Sequence, residues 1–171
     1  MFDNLRQDTR RLQAIKKKRF FLYVLESLLF ENGYQAVVLY RMAHWFRSHR
    51  IPVLGPLLAR VSLVLTGVDL APGAVIGPGL FVSHGSGLVV GAHVRIGAQA
   101  TLLHQVTIGA PTGPRILEMP TIGDNAFIAT GSRLIGDITI GDDVFIGINC
   151  IVTRDIPSGS KVSLDSDIRI E

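Results

Sequence analysis

Five histidines and a single cysteine carry most of the reactive chemistry available to this chain of 171 residues. His84 differs from the other histidines in its setting, Ser83-His84-Gly85-Ser86-Gly87, where small neighbours leave an imidazole accessible. Imidazole titrates near neutral pH, so a histidine in such a loop suits proton transfer to or from a reacting group. His104, two residues after Leu102 and beside Gln105, is a second candidate for lining the same cleft. His93 reads as a surface corner residue, and His44 and His49 fall in a helical stretch. The five have no recognisable metal-ligand spacing, so no metal site is expected. Cys150, being alone, supports neither a disulfide framework nor a thiolate cage, and it reads as a small buried side chain.

The elements that would position His84 follow from a period of six. Aliphatic residues recur as Leu70, Ile76 and Val82, then Val90, Ile96, Leu102 and Ile108, then Ile122, Ile128, Leu134, Ile140, Ile146 and Val152. A small residue usually comes next, as in Ala71, Gly77, Gly91, Gly97, Gly109, Gly123 and Gly141. Neither a helix nor an ordinary sheet has this period. A triangular coil of three short strands does, with one aliphatic side chain per face pointing inward and the small residue permitting the corner. Stacked coils bury a continuous aliphatic column and touch only their neighbours. The step lengthens twice. Val82 to Val90 gains a bulge around Ser83–Gly87, and Ile108 to Ile122 gains a loop within Ala110–Met119. Repeat proteins collect function on such excursions.

The chain before residue 65 is built differently. Arg10 to Ser48 contains no proline and has apolar residues at helical spacing, which predicts two helices broken at Asn32-Gly33. Pro52 opens a third helical segment with Leu57, Leu58, Val61 and Leu65 on one face. Residues 1–60 hold eleven Lys/Arg against four Asp/Glu, while residues 61–171 hold six against ten. The run Lys16-Lys17-Lys18-Arg19 reads first as a solvated basic helix end, with an anionic membrane surface as the other reading. Nucleic acid is excluded because the aromatics sit at core spacing and the rest of the chain is acidic. Charges at Glu26, Glu31, Arg41 and Arg60 interrupt every apolar run that might span a bilayer. No signal-peptide pattern opens the chain, so a cytoplasmic protein is expected, with the inner membrane face as a peripheral contact.

With the repeat, the segments Thr66–Ala74, Phe81–Gly91, Gln105–Gly109 and Ile128–Gly131 resemble hexapeptide-repeat acyltransferases of the serine O-acetyltransferase type. The helical lead-in from Gly33-Tyr34-Gln35-Ala36 to Arg41-Met42-Ala43-His44-Trp45 continues the resemblance. It implies a mainly β fold, a left-handed parallel β-helix with an N-terminal helical region, divided as residues 1–64, 65–157 and a tail at 158–171. It also implies a general-base pair, His84 with Asp69 fifteen residues earlier. Acetyl-CoA would be the cosubstrate, lying along Gly109, Ala110, Ala129, Gly131 and Gly147, with Arg133, Arg154 and Lys161 near its phosphates. The assembly implied is a homotrimer with sites between subunits.

The sequence departs from that family on the acceptor side. Ser83 stands where an Asp precedes the catalytic histidine, Met119 stands where the protruding loop has a second histidine, and Lys16–Arg19 replaces an Asp-Pro pair. Ser83, His104 and Met119 are therefore the candidate acceptor contacts. Loss of charge at Ser83 and Met119 favours a different alcohol, a sugar hydroxyl in capsule or exopolysaccharide biosynthesis. The alternative is serine O-acetylation in cysteine biosynthesis, and the third reading is an inactive β-helix scaffold.

Overall fold

The computed structural model describes residues 2–17, 20–111 and 115–164, and for residues 20–23 the backbone alone. Lys18 and Arg19 of the basic run, part of the protruding loop and the end of the tail lie outside the described residues. The helical region consists of α1 (Phe2–Lys16), α2 (Phe20–Phe30), α3 (Asn32–Ser48) and α4 (Leu54–Thr66). The sequence reading has one break fewer. Lys17 takes a left-handed backbone (φ 53°) and ends α1, inside a run of like charges that repel along a helix face. The next break falls on Glu31 (φ −106°, ψ 100°), so Asn32 and Gly33 open α3 rather than separate two helices. No helix among the described residues is long and apolar enough to cross a membrane.

From Asp69 onward the described chain winds into short strands: β1 (Asp69–Leu70), β2 (Val75–Ile76), β3 (Phe81–Ser83), β4 (Val89–Val90), β5 (Arg95–Ile96), β6 (Thr101–Leu103) and β7 (Thr107–Gly109). After the loop come β8 (Thr121–Ile122), β9 (Phe127–Ile128), β10 (Arg133–Ile135), β11 (Thr139–Ile140), β12 (Phe145–Ile146), β13 (Ile151–Val152) and β14 (Lys161–Val162). Every third strand pairs in parallel as far as β13, and β14 pairs with β12 because an isolated bridge at Ile156 stands where the next strand would fall. This makes three sheets: A (β1-β4-β7-β10-β13), B (β2-β5-β8-β11) and C (β3-β6-β9-β12-β14). The result is a parallel β-solenoid of about five turns. The aliphatic column is its core, since none of the thirteen repeat positions from Leu70 to Val152 is more than 6% exposed.

The small residue after each aliphatic does a different job from the one its position suggests. Gly77, Gly97, Gly123 and Gly141 have no left-handed backbone. They are small because the next coil passes too close: a Cβ on Gly77 would lie 2.6 Å from the Gly97 carbonyl carbon. At that corner the left-handed positions are Gly79 in the first coil (φ 76°) and then Gln99, Asn125 and Asp143, with φ of 56–60°. Side chains of adjacent coils satisfy the corner amides there, as where Asp124 N–H donates to Asp142 Oδ1 (2.7 Å) and Asp142 N–H to Ser158 Oγ (3.0 Å).

One buried ion pair docks the helices on the first coils. Arg41 and Asp8 are 3% and 2% exposed, and Arg41 Nε and Nη2 donate to the two Asp8 oxygens at 2.8 and 3.1 Å. Arg41 also donates to the carbonyls of Ile76 (2.5 Å) and Gly77 (2.6 Å), while the Leu80 N–H donates to Asp8 Oδ1 (2.8 Å). Arg11 caps the carbonyls of Gly79 and Ala100, and Tyr40 OH donates to Ala74 O (2.8 Å). Ala36, Val37 and Tyr40 of α3 join the solenoid core directly.

Removing one partner of a buried pair leaves a desolvated charge, so Asp8→Asn and Arg41→Met are each expected to cost about 3–5 kcal/mol in urea denaturation. The double variant should lose less than the sum of the two, the mark of a coupled pair. Burial pushes the Tyr40 phenol up to about 12, whereas an unfolded tyrosine ionises near 10. The folded chain therefore holds this proton more tightly. Its contribution is complete below about pH 10 and disappears as pH rises toward 12, a decline of up to roughly 3 kcal/mol. Urea midpoints across that window should fall less steeply in Tyr40→Phe.

Candidate active site

The bulge after β3 is set by glycines on both sides. A Cβ on Gly85 would lie 2.6 Å from Val82 Cγ1 and 2.7 Å from Val68 Cγ2, so only glycine lets the loop rest on the core. His84, just before it, takes a left-handed backbone (φ 50°) that turns its ring outward to an exposed position. Opposite the bulge, α3 arrives with Gly33, whose missing side chain leaves room for the Val82 carbonyl. Asn32 then spans the gap, its Nδ2 donating to Thr66 O (3.2 Å) and Ser86 Oγ (3.1 Å).

Helices and bulge enclose a cavity of about 140 Å³, lined among others by Ser83, His84, Gly33, Asn32, Glu31 and Lys16. Lys16 Nζ donates to Glu31 Oε1 at 3.2 Å on its helical side. The cavity is far smaller than the roughly 300–1,000 Å³ of drug-sized ligand sites, so it matches a small acceptor.

Coil stacking extends the site along the corner between sheets C and A. Gln105 N–H donates to Ser86 O (3.0 Å) and Gly131 N–H to His104 O (3.1 Å), which puts Ser86, His104 and Thr130 in one row. His104 Nδ1 lies 3.4 Å from Thr130 Oγ1. Ala129 and Gly147 follow β9 and β12 at this same corner, and Gly131 has the left-handed backbone (φ 73°) of its turn. Asp69 enters from β1, half-buried and paired in register with Val89, and its carboxylate makes no hydrogen bond to His84 among the described residues.

The other expected site residues lie elsewhere. Met119 packs at the opposite end of β4, where its Sδ accepts from the His93 N–H (3.2 Å) and its side chain covers Gly91. Gly109 and Ala110 share that far end of sheet A, and Arg133 stands exposed on β10 between the two corners. Arg154 and Lys161 line a cavity of about 570 Å³ at the C-terminal end of the solenoid. His44 and His49 bond within the helical region and its junction, to Pro72 O (3.0 Å) and Trp45 O (2.9 Å). Cys150 is buried, with its N–H donating to Ser132 Oγ (3.2 Å). The cavity residues the sequence reading did not single out are Glu31 and Asn32, whereas Lys16 lies in the Lys16–Arg19 stretch already noted as a departure on the acceptor side and Ser86 in the glycine loop. The prior signal for Asn32 was the Asn32-Gly33 break; Glu31 had none.

Residues 119–154 match the bacterial transferase hexapeptide family (six repeats). A serine acetyltransferase of Synechococcus elongatus is 39% identical over 104 residues, which are 61% of this chain and 43% of that protein. The serine acetyltransferase of Neisseria gonorrhoeae, solved in complex with serine, superposes with a TM-score of 0.84 at 26% identity, covering 95% of this chain and 66% of that one. The serine acetyltransferase of Brucella abortus strain S19, solved with coenzyme A, gives 0.83 at 26% identity, covering 93% and 63%. The chain spans about half the length of the curated relatives it matches.

These relationships overturn the expected saccharide acceptor of capsule or exopolysaccharide biosynthesis. The relatives are serine acetyltransferases, one neighbour holds serine, and a 140 Å³ cavity does not fit a sugar chain. Charge lost at Ser83 and Met119 was the ground for the sugar reading, but Met119 is not at the His84 cavity of its own chain. Residues 119–154 thus carry the repeat of the bacterial hexapeptide transferases, and the repeat region is similar to serine acetyltransferases.

Proposed function

We propose that the protein transfers the acetyl group of acetyl-CoA to the hydroxyl of L-serine. The observation that carries this reading is His84 facing an amino-acid-sized cavity within a region 39% identical to a serine acetyltransferase. The serine oxygen attacks the thioester carbonyl carbon while the His84 imidazole takes the hydroxyl proton. The tetrahedral oxyanion then collapses, the C–S bond breaks, and the proton passes from His84 to the departing CoA sulfur. The products are O-acetylserine and CoA. Asp69 would fix the imidazole tautomer and stabilise its charged form. Hydrogen bonds of this kind in unliganded sites commonly tighten only when substrate is present.

Acetyl-CoA would lie along the outside of the corner beside His84. Ala129, Gly131 and Gly147 are buried there, with Asn149 packed over Gly131, so their small size keeps the corner low, and His104 and Ser83 stand at its acceptor end. Gly109, Ala110 and Met119 sit at the far corner of the same prism. Both sets can serve one site only when a second copy brings its far corner against the first copy's near corner. This supports a homotrimer with a site at each of three interfaces, with Arg133, Arg154 and Lys161 as the cations available to the CoA phosphates.

A thiol-release assay with acetyl-CoA tests the reading, with L-serine set against a panel of saccharides. Serine turnover is expected, and saccharide turnover without it would overturn the proposal. His84→Ala should lower kcat by about 10²–10⁴ with acetyl-CoA affinity retained, and Asp69→Asn by less. Sedimentation should give three times the chain mass; an active monomer would contradict the shared site.

A further inference from the structure

Ser83, His84, Phe81 and Val82 are the solenoid's share of the 140 Å³ cavity, and none of them is an acid or a lysine or arginine. The permanent charges come from the helices. Lys16 at the end of α1 and Glu31 at the start of α3 meet at 3.2 Å, with side chains 43% and 26% exposed. Glu31 holds the N-cap position of α3, yet its side chain makes no capping hydrogen bond. A carboxylate there would ordinarily gain from the helix amides. Instead it faces an ammonium across the mouth of a cavity that contains an imidazole.

We infer that Lys16 and Glu31 are the acceptor-specificity residues, forming a two-charge cradle for an α-amino acid zwitterion whose side-chain hydroxyl lies against His84. This rests on the reading of the site as a serine acetyltransferase. An exposed ion pair is worth about 0–1 kcal/mol, so opening it costs little. A zwitterion restores both charges at once, its ammonium on Glu31 and its carboxylate on Lys16. A cationic alcohol of the same size meets Glu31 but brings no carboxylate to Lys16, and an anionic one meets Lys16 but brings no ammonium to Glu31. A neutral sugar pairs with neither. The charge pattern therefore selects for the class of acceptor, while the cavity volume limits its length. Asn32, fixed between Thr66 O and Ser86 Oγ, holds the start of α3 at the bulge and so fixes the distance from Glu31 to His84.

The test compares L-serine, ethanolamine and 3-hydroxypropionate as acceptors for the wild-type chain, Glu31→Gln and Lys16→Met. In Glu31→Gln the KM for serine should rise at least about tenfold with kcat nearly unchanged, and the preference for serine over 3-hydroxypropionate should shrink. In Lys16→Met the preference that shrinks should be that over ethanolamine, again by about tenfold or more. Acetyl-CoA KM and the thermal midpoint should hold in both, which separates a binding role from a folding one. Active variants that keep the wild-type serine KM and preferences would overturn the cradle and leave the acetyltransferase reading standing. If the wild-type chain turns over no serine, calorimetric titration of L-serine decides. Binding that both variants weaken about tenfold or more keeps the cradle while the reaction assignment falls. No binding overturns both.

Discussion

The Asp8–Arg41 pair is the contact on which the arrangement of the site depends. A β-solenoid ends in a coil whose outward carbonyls have no further coil to pair with, and buried unpaired carbonyls are costly. Arg41 and Arg11 supply donors to three of them, at Ile76, Gly77 and Gly79, and Arg11 also donates to Ala100 O of the next coil, which already accepts from the Phe81 N–H. The buried Arg41 guanidinium, engaged with carbonyls, still needs a counter-charge, and Asp8 provides it while accepting from the Leu80 amide. The pair ties α1, α3 and the first coils together. In doing so it sets where the ends of α1 and α3 come to rest, which is beside His84.

The solenoid was legible because its information is local and repeated. Each coil must place an aliphatic residue inward every six positions, and a residue missing from that series would leave a void in the column. All thirteen positions read from the spacing are buried, and both interruptions of the period are excursions in the structure. The role of the small residues was less legible, because two constraints produce the same composition. A glycine chosen for a left-handed corner and a glycine chosen for close coil contact look alike in sequence. The structure separates them: Gly77 and Gly97 make room for the next coil, while Gln99 and Asn125 turn the corner. Side chains that bond locally tolerate that backbone better than most.

The site was legible only where it lies on the repeat. His84 announces itself because the bulge breaks a period, and Ser83 comes with it. Lys16 and Glu31 lie outside the repeat and fifteen residues apart, in a stretch whose composition reads as a solvated basic helix end. Nothing in their spacing shows that they meet, since their proximity depends on the turn at Lys17 and on the extended Glu31 between α2 and α3. Met119 is legible only in part. Its sequence position suggests the acceptor, and within its own chain the side chain fills the space over Gly91 at the far corner.

On the proposed reading, base and acceptor selection therefore come from different parts of the chain. Stacked coils repeat at the spacing of parallel strands, about 4.8 Å, so groups on the solenoid can be offset along its axis only in steps of that size. A row such as Ser86, His104 and Thr130 suits an extended ligand lying along the corner, because each coil offers the same geometry once. It is poorly suited to grip a compact acceptor, whose charged groups and hydroxyl are separated by less than one coil. Helix ends are not bound to that spacing. Docked by Arg41 and held at the bulge by Asn32, they can approach His84 from outside the stack at whatever distance the acceptor requires. On the proposed reading, acceptor choice rests on Lys16 and Glu31 at the ends of α1 and α3, and it can change without disturbing the solenoid column that carries His84.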